Sequence, residues 1–138
     1  MRRIRIAMAQ INTTMGDFAG NTRKILEAIA QSRALGVDLV TFPELAICGY
    51  PPEDLLLKPQ FIQENLRSLD RVIEGSSGLT IILGFVDARE DIYNAAAVID
   101  KTPIKMIPRK APCPVGSVAM RSAPTWRTVK KKATWKNP

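Results

Sequence analysis

An apolar, partly β-branched run, Val37-Asp38-Leu39-Val40-Thr41-Phe42, is cut off by Pro43, and the next residue is an acid, Glu44. Proline has no N–H for a strand ladder, so the run reads as a buried strand that stops just before a carboxylate. Loops at the strand ends of layered α/β folds present polar groups over a rigid apolar floor. Burial there disfavours a charged carboxylate, which suits a general base. A glutamate after proline also opens an ordinary solvated turn, and the residues alone leave both readings open.

The flanking pattern sets the fold class. Ile4, Ile6 and Met8 alternate with Arg5, Ala7 and Ala9, which predicts a strand with one strongly apolar face. A turn-rich loop through Asn12, Thr13, Thr14, Gly16 and Asp17 leads to Asn21 or Thr22, the expected helix N-cap, and Gly36 is placed to end that helix. The 37–42 strand follows at once, so the unit is strand–helix–strand, whose usual outcome is two parallel strands with a helix on one face. Further on, Pro59 suits a helix first turn, and Ile62, Leu66, Leu69 and Ile73 form one buried stripe ending at Gly75-Ser76-Ser77-Gly78. Leu79–Val86 and Ile92–Ile99 read as partner strands joined by a short polar link, Asp87 to Asp91. Gly84 within the first of them marks a close backbone approach or a bulge, or else plain packing. An edge strand over Ile104, Met106 and Pro108 is expected after that.

Periodicity stops near residue 110. Residues 1–110 carry 14 Lys/Arg against 13 Asp/Glu, whereas residues 111–138 carry 6 Lys/Arg and no acid, so the net charge of +7 belongs almost wholly to the tail. A nearly neutral body argues against nucleic-acid binding as its task. The tail, with Pro112, Pro114 and Pro124, Trp126, Trp135 and Lys130-Lys131-Lys132, lacks a coherent apolar face and is expected to be disordered. The chain therefore divides into a domain over 1–110 and a basic tail over 111–138.

Histidine is absent, which excludes Ser-His and Cys-His nucleophile activation and imidazole metal sites. The two cysteines, Cys48 and Cys113, have no metal-ligand spacing and suggest reduced thiols in the cytoplasm. Cys48 reads as a small buried residue rather than a nucleophile. With no run of about 18 apolar residues and no signal peptide, no membrane association is expected.

The segment V-T-F-P-E-L-A-I-C-G-Y-P-P-E-D-L-L-L, Val40 to Leu57, resembles the first catalytic motif of the carbon–nitrogen hydrolase (nitrilase) superfamily. Its continuation Gly49-Tyr50-Pro51-Pro52-Glu53-Asp54-Leu55-Leu56 is similar to the glutaminase domain at the N-terminus of the glutamine-dependent NAD synthetase family. The strand ending near Gln10 and Asn12, then Gly16-Asp17, then Asn21 come in that family's order, and the resemblance covers about residues 4 to 110.

This resemblance implies an α/β fold that is about half of an αββα nitrilase-type sandwich. It implies Glu44 as general base and Lys110, preceded by Arg109, as oxyanion stabiliser; Arg-Lys between two prolines is otherwise an ordinary solvated basic pair. The family's nucleophile sits in a C-E-x-x-W-like context that this chain does not contain, so the chain alone is expected to be inactive. Glutamine or another small amide is the implied substrate, ATP is used by a separate synthetase domain of the family, and no cofactor is implied for this segment. The intact family is expected to form homo-oligomers, and half a sandwich is expected to expose apolar surface and self-associate. Family members continue after the lysine with something like H-L-P-N-Y-G, whereas this chain reads A-P-C-P-V-G, so residues from about 111 are expected to be translated out of frame in a truncated product. Two other classes stay open: another carbon–nitrogen hydrolase acting on an amide, nitrile or carbamoyl compound, and a non-enzymatic binding module built on the basic tail.

Overall fold

The computed structural model describes residues 3–88 and 91–100, and the backbone of 125–129. The elements are β1 (Ile6–Met8), α1 (Phe18–Ala34), β2 (Leu39–Thr41), a 3₁₀ helix (Glu53–Leu57), α2 (Pro59–Gly75), β3 (Thr80–Ala88), β4 (Ile92–Ile99) and β5 (Thr125–Val129). The sheet order is β1-β2-β3-β4-β5. β1, β2 and β3 run parallel, β4 is antiparallel to β3, and β5 is parallel to β4. The β1-α1-β2 unit is thus the expected parallel pair with its crossover helix, and the second helix and the β3–β4 pair also fall where periodicity put them. The expected edge strand over residues 104–108 lies outside the described residues. Of the basic tail, the described part is β5; the rest lies outside.

The apolar stripes decide how the layers stack. Ile25 and Ile29 of α1 and Leu69, Val72 and Ile73 of α2 meet one face of the sheet, formed by Val40, Ile81, Leu83, Phe85, Ala95, Ala97 and Ile99, with Ala7 and Ala9 at its margin. Each large side chain buried there contributes about 1.5–3 kcal/mol. Pro59 opens α2 without losing a ladder bond, and Gly36, at φ +66°, follows α1 in the left-handed conformation of a helix-terminating glycine.

The helix α1 starts earlier than the sequence suggests. Its N-cap is Asp17, whose Oδ1 accepts the N–H of Gly20 at 2.9 Å, and not Asn21 or Thr22. Asn21 is instead fully buried inside the first turn, because its carboxamide is taken up by two loops. The strand β2, Leu39–Thr41, is also shorter than the run 37–42: the Val37 N–H is taken by the Ser32 carbonyl at the end of α1, and Phe42, just before Pro43, makes the last donation to β3.

The sheet face turned away from the helices is open along β1 and β2. Ile4, Ile6 and Met8 are 65%, 60% and 78% exposed, and Leu39, Thr41 and Ile82 are half-buried. The strongly apolar face of β1 is therefore the one that the helices leave uncovered.

Candidate active site

Because β2 stops at Thr41 while β3 runs on to Ala88, the second half of β3 has, among the described residues, no strand beside it on that side. Leu45, Cys48, Phe61, Ile62 and Val86 fill the space as a second apolar cluster. The backbone needs partners there as well. Phe42 donates to the carbonyl of Ile82 and Thr80 donates to that of Asp38, so residues of even number in β3 turn their N–H and C=O toward β2. At Val86 no strand among the described residues remains to receive them. The Asn65 side chain of α2 takes over: its Nδ2 donates to the Val86 carbonyl at 2.6 Å and its Oδ1 accepts the Val86 N–H at 3.4 Å. A buried carboxamide thus replaces one residue of the missing ladder.

The segment after Pro43 crosses β3 on the face opposite the helices. A Cβ built on Gly84 would lie 2.6 Å from the N of Leu45, 2.7 Å from the O of Pro43 and 2.9 Å from the Cα of Glu44. Only a glycine lets the backbone pass so close. Leu45 then takes a positive φ of 49° and the chain folds into a turn closed by the Gly49 N–H on the Leu45 carbonyl at 2.9 Å. For leucine this conformation is uncommon, and it bends the chain directly after the acid.

That turn is laced to the loop before α1. Asn21 Nδ2 donates to the carbonyls of Ile47 (3.0 Å) and Thr14 (2.7 Å), and its Oδ1 accepts the Thr14 N–H at 2.8 Å. Gly16 donates to the Cys48 carbonyl at 2.8 Å, and a Cβ on Gly49 would meet the backbone of Thr14 and Met15 at 2.6 Å. The motif residues Gly16, Asp17, Asn21 and Gly49 therefore fix the loop that carries Glu44.

Glu44 itself is exposed, so the burial expected around it is not supplied by the described residues. Its Oε1 accepts a hydrogen bond from Asn94 Nδ2 of β4. Asn94 is buried and stands on the same sheet face as Gly84. Sequence reasoning treated Asn94 as one residue of a partner strand and passed over Asn65. The available signal was composition: asparagine is depleted in strands, and a polar residue within an apolar run needs a partner. Cys48 is fully buried, with its thiol donating to the carbonyls of Gly49 (3.4 Å) and Leu45 (3.6 Å), and burial pushes its pKa up to about 12. Lys110, Arg109 and Cys113 lie outside the described residues. Among the described residues no helix is long and apolar enough to cross a membrane.

A mixed sheet with a glutamate at the end of a short parallel strand, backed by two helices, is part of the nitrilase-type α/β fold. The chain matches the carbon–nitrogen hydrolase family model over residues 5–110 and belongs to that family. Its relatives narrow the likeness. It is 44% identical over 116 residues to the glutamine-dependent NAD(+) synthetase of Thermotoga maritima, covering 83% of this chain and 20% of that protein. The crystal structure of a glutamine-dependent NAD(+) synthetase from Cytophaga hutchinsonii superposes with a TM-score of 0.68 at 28% identity, over 70% of this chain and 17% of the other. The structure of the glutamine-dependent NAD+ synthetase from Acinetobacter baumannii in complex with ADP gives a TM-score of 0.60 at 33% identity, over 69% of this chain and 18% of that one. The chain thus spans about a fifth of the length of the relatives it matches.

Proposed function

We propose that this chain carries the general-base segment of a glutamine-hydrolysing domain that feeds ammonia to NAD synthesis. The observation that carries the reading is Glu44 itself: a carboxylate at the end of β2, passed over Gly84 and held by Asn94, in a chain similar to glutamine-dependent NAD(+) synthetases. In the reaction a cysteine thiol attacks the glutamine amide carbon. Glu44 takes the thiol proton and delivers it to the departing ammonia, which leaves an acyl-enzyme. Glu44 then removes a proton from the water that releases glutamate. A thiol is largely protonated near neutral pH, so attack needs a base in hydrogen-bond reach. Lys110 donates to the oxyanion of each tetrahedral intermediate, a contact worth most in a dry pocket.

The nucleophile is not Cys48. It is sealed in the core, and a thiol pushed up to about 12 supplies almost no thiolate near neutral pH. Cys113 stands outside the C-E-x-x-W-like context in which the family's nucleophile sits, so no glutaminase activity is expected of the 138-residue chain by itself, and ATP-dependent use of the ammonia belongs to a separate synthetase domain.

The test is glutamate release from glutamine by two proteins. One is the 138-residue chain. The other is the Thermotoga maritima relative carrying residues 1–110 of this chain in place of its own matching segment. No release is expected from the first, and release from the second should be lost in Glu44→Gln. Glutamine turnover by the chain alone, or full activity in the hybrid Glu44→Gln, would overturn the assignment.

A further inference from the structure

The geometry points to Asn94 as the positioning residue of Glu44, the side chain that fixes which carboxylate oxygen is held and which is left to move protons. For its catalytic meaning this inference rests on the reading of Glu44 as base; the pairing itself does not.

The register makes the contact. Odd-numbered residues of β3 exchange ladder bonds with β4, whereas Val86 turns its backbone to Asn65. The facing pair Val86 and Asn94 is therefore a non-hydrogen-bonded pair, the kind whose side chains stand closest across an antiparallel ladder. Asn94 stands on the face over which Glu44 passes, two residues along β4 from Ala96, the partner of Gly84. Gly84 and Ala96 are small, so the Pro43–Leu45 backbone settles low on the sheet and the Glu44 side chain comes within hydrogen-bond reach of the Asn94 amide.

The chemistry fits the residue type. An amide N–H donates to a carboxylate without adding a proton that titrates or a charge that competes with the substrate. Aspartate in its place has the same shape but puts a like charge against Glu44. Alanine keeps the strand and removes the donor. Because a carboxylate has two oxygens, holding Oε1 leaves Oε2 for proton transfer, and the held oxygen sets the angle at which it faces the nucleophile. Asn65 supports this from behind, since it fixes the Val86 backbone opposite Asn94.

The first measurement is made on the 138-residue chain with 15N-labelled side chains. Replacing Glu44 by Ala is expected to displace the Asn94 Nδ2 resonances while the backbone amides of β3 and β4 stay in place. Unmoved Asn94 side-chain resonances overturn the inference. The second is made in the Thermotoga maritima hybrid. Asn94→Ala is expected to lower kcat by about tenfold or more with little change in KM, because the base loses its aim while Asn94 itself makes no contact with substrate. Asn94→Asp is expected to be worse than Asn94→Ala, and Asn94→Ser, which keeps a donor, is expected to recover part of the loss. Wild-type kcat in Asn94→Ala, with Glu44→Gln inactive, overturns the positioning role and leaves the base assignment standing. Full activity in Glu44→Gln, with the Asn94 resonances displaced by Glu44→Ala, overturns the base assignment and leaves a pairing without a catalytic role.

Discussion

The Cα of Glu44 would lie only 2.9 Å from a Cβ placed on Gly84, 40 positions further along the chain. The distance is below any ordinary contact, and all three nearest atoms, this one and those of Pro43 and Leu45, belong to the backbone, so no rotamer change relieves it.

Gly84→Ala is therefore expected to destabilise the protein by about 1–3 kcal/mol, the usual cost of an overpacked site, and to push the Glu44 turn away from the sheet. Urea denaturation measures the first effect, and loss of the Asn94 side-chain signature measures the second. An alanine variant of wild-type stability would mean that the 43–45 backbone does not rest on β3.

The loop that precedes α1 makes a second demand. Asn21→Ala removes one acceptor and two donor bonds from Thr14 and Ile47 while the α1 backbone stays helical. Leaving such groups unpaired in a buried place costs about 1–3 kcal/mol each, less whatever water can reach them. Thermal unfolding of Asn21→Ala should show a loss of at least about 2 kcal/mol. Asn21→Asp should lose as much or more, because a carboxylate would face two carbonyl oxygens.

How far the sequence disclosed this architecture depends on what each residue answers to. Strands and helices were legible because their cause is local: the 62-66-69-73 stripe, Pro43 ending β2 and Gly36 ending α1 act through covalent geometry and spacing. Glu44 was legible through a motif around it. Asn21 misled because an asparagine before an apolar stripe is a good cap on local grounds, and only the fold reveals that Ile47, 26 positions away, competes for its amide. Asn65 and Asn94 stayed silent for the same reason. Their partners, Val86 and Glu44, come within reach only after β2 has ended early beside a longer β3. The exposure of Ile4, Ile6 and Met8 was foreshadowed in kind, as surface that half a sandwich leaves open, but periodicity could not say which face of β1 the helices would take.

Cys48 gives a prediction at high pH. Its thiol is held protonated in the fold by burial, from an ordinary 9.0 to about 12, so the folded state binds this proton more tightly than the unfolded chain does. The contribution to stability is fully present below pH 9.0 and is lost as pH rises toward 12. In that window stability should fall by up to about 1.4 kcal/mol per pH unit, and Cys48→Ala should remove this part of the slope. Denaturant titrations of the two proteins from pH 8 to 11 on the same buffer series measure it. Identical slopes would show that the thiol is not sealed from water. The same burial predicts that an alkylating reagent reaches Cys48 only at the rate of local or global unfolding.

The open face of β1 should make this chain associate with itself. Ile4, Ile6 and Met8 alternate along a strand that, among the described residues, pairs only with β2, so an apolar row and a free ladder edge coincide. Sedimentation velocity of the 138-residue chain is expected to show a mean mass that rises with concentration. Ile6→Lys with Met8→Lys places two charges on that row without touching the helix-packed side of β1, which faces the core through Ala7 and Ala9. The double variant should remain folded by circular dichroism and sediment closer to the 15.3 kDa monomer. If the variant associates as strongly as the parent, the contact lies elsewhere on the molecule, and if the parent is monomeric throughout, the exposed row does not drive assembly at all.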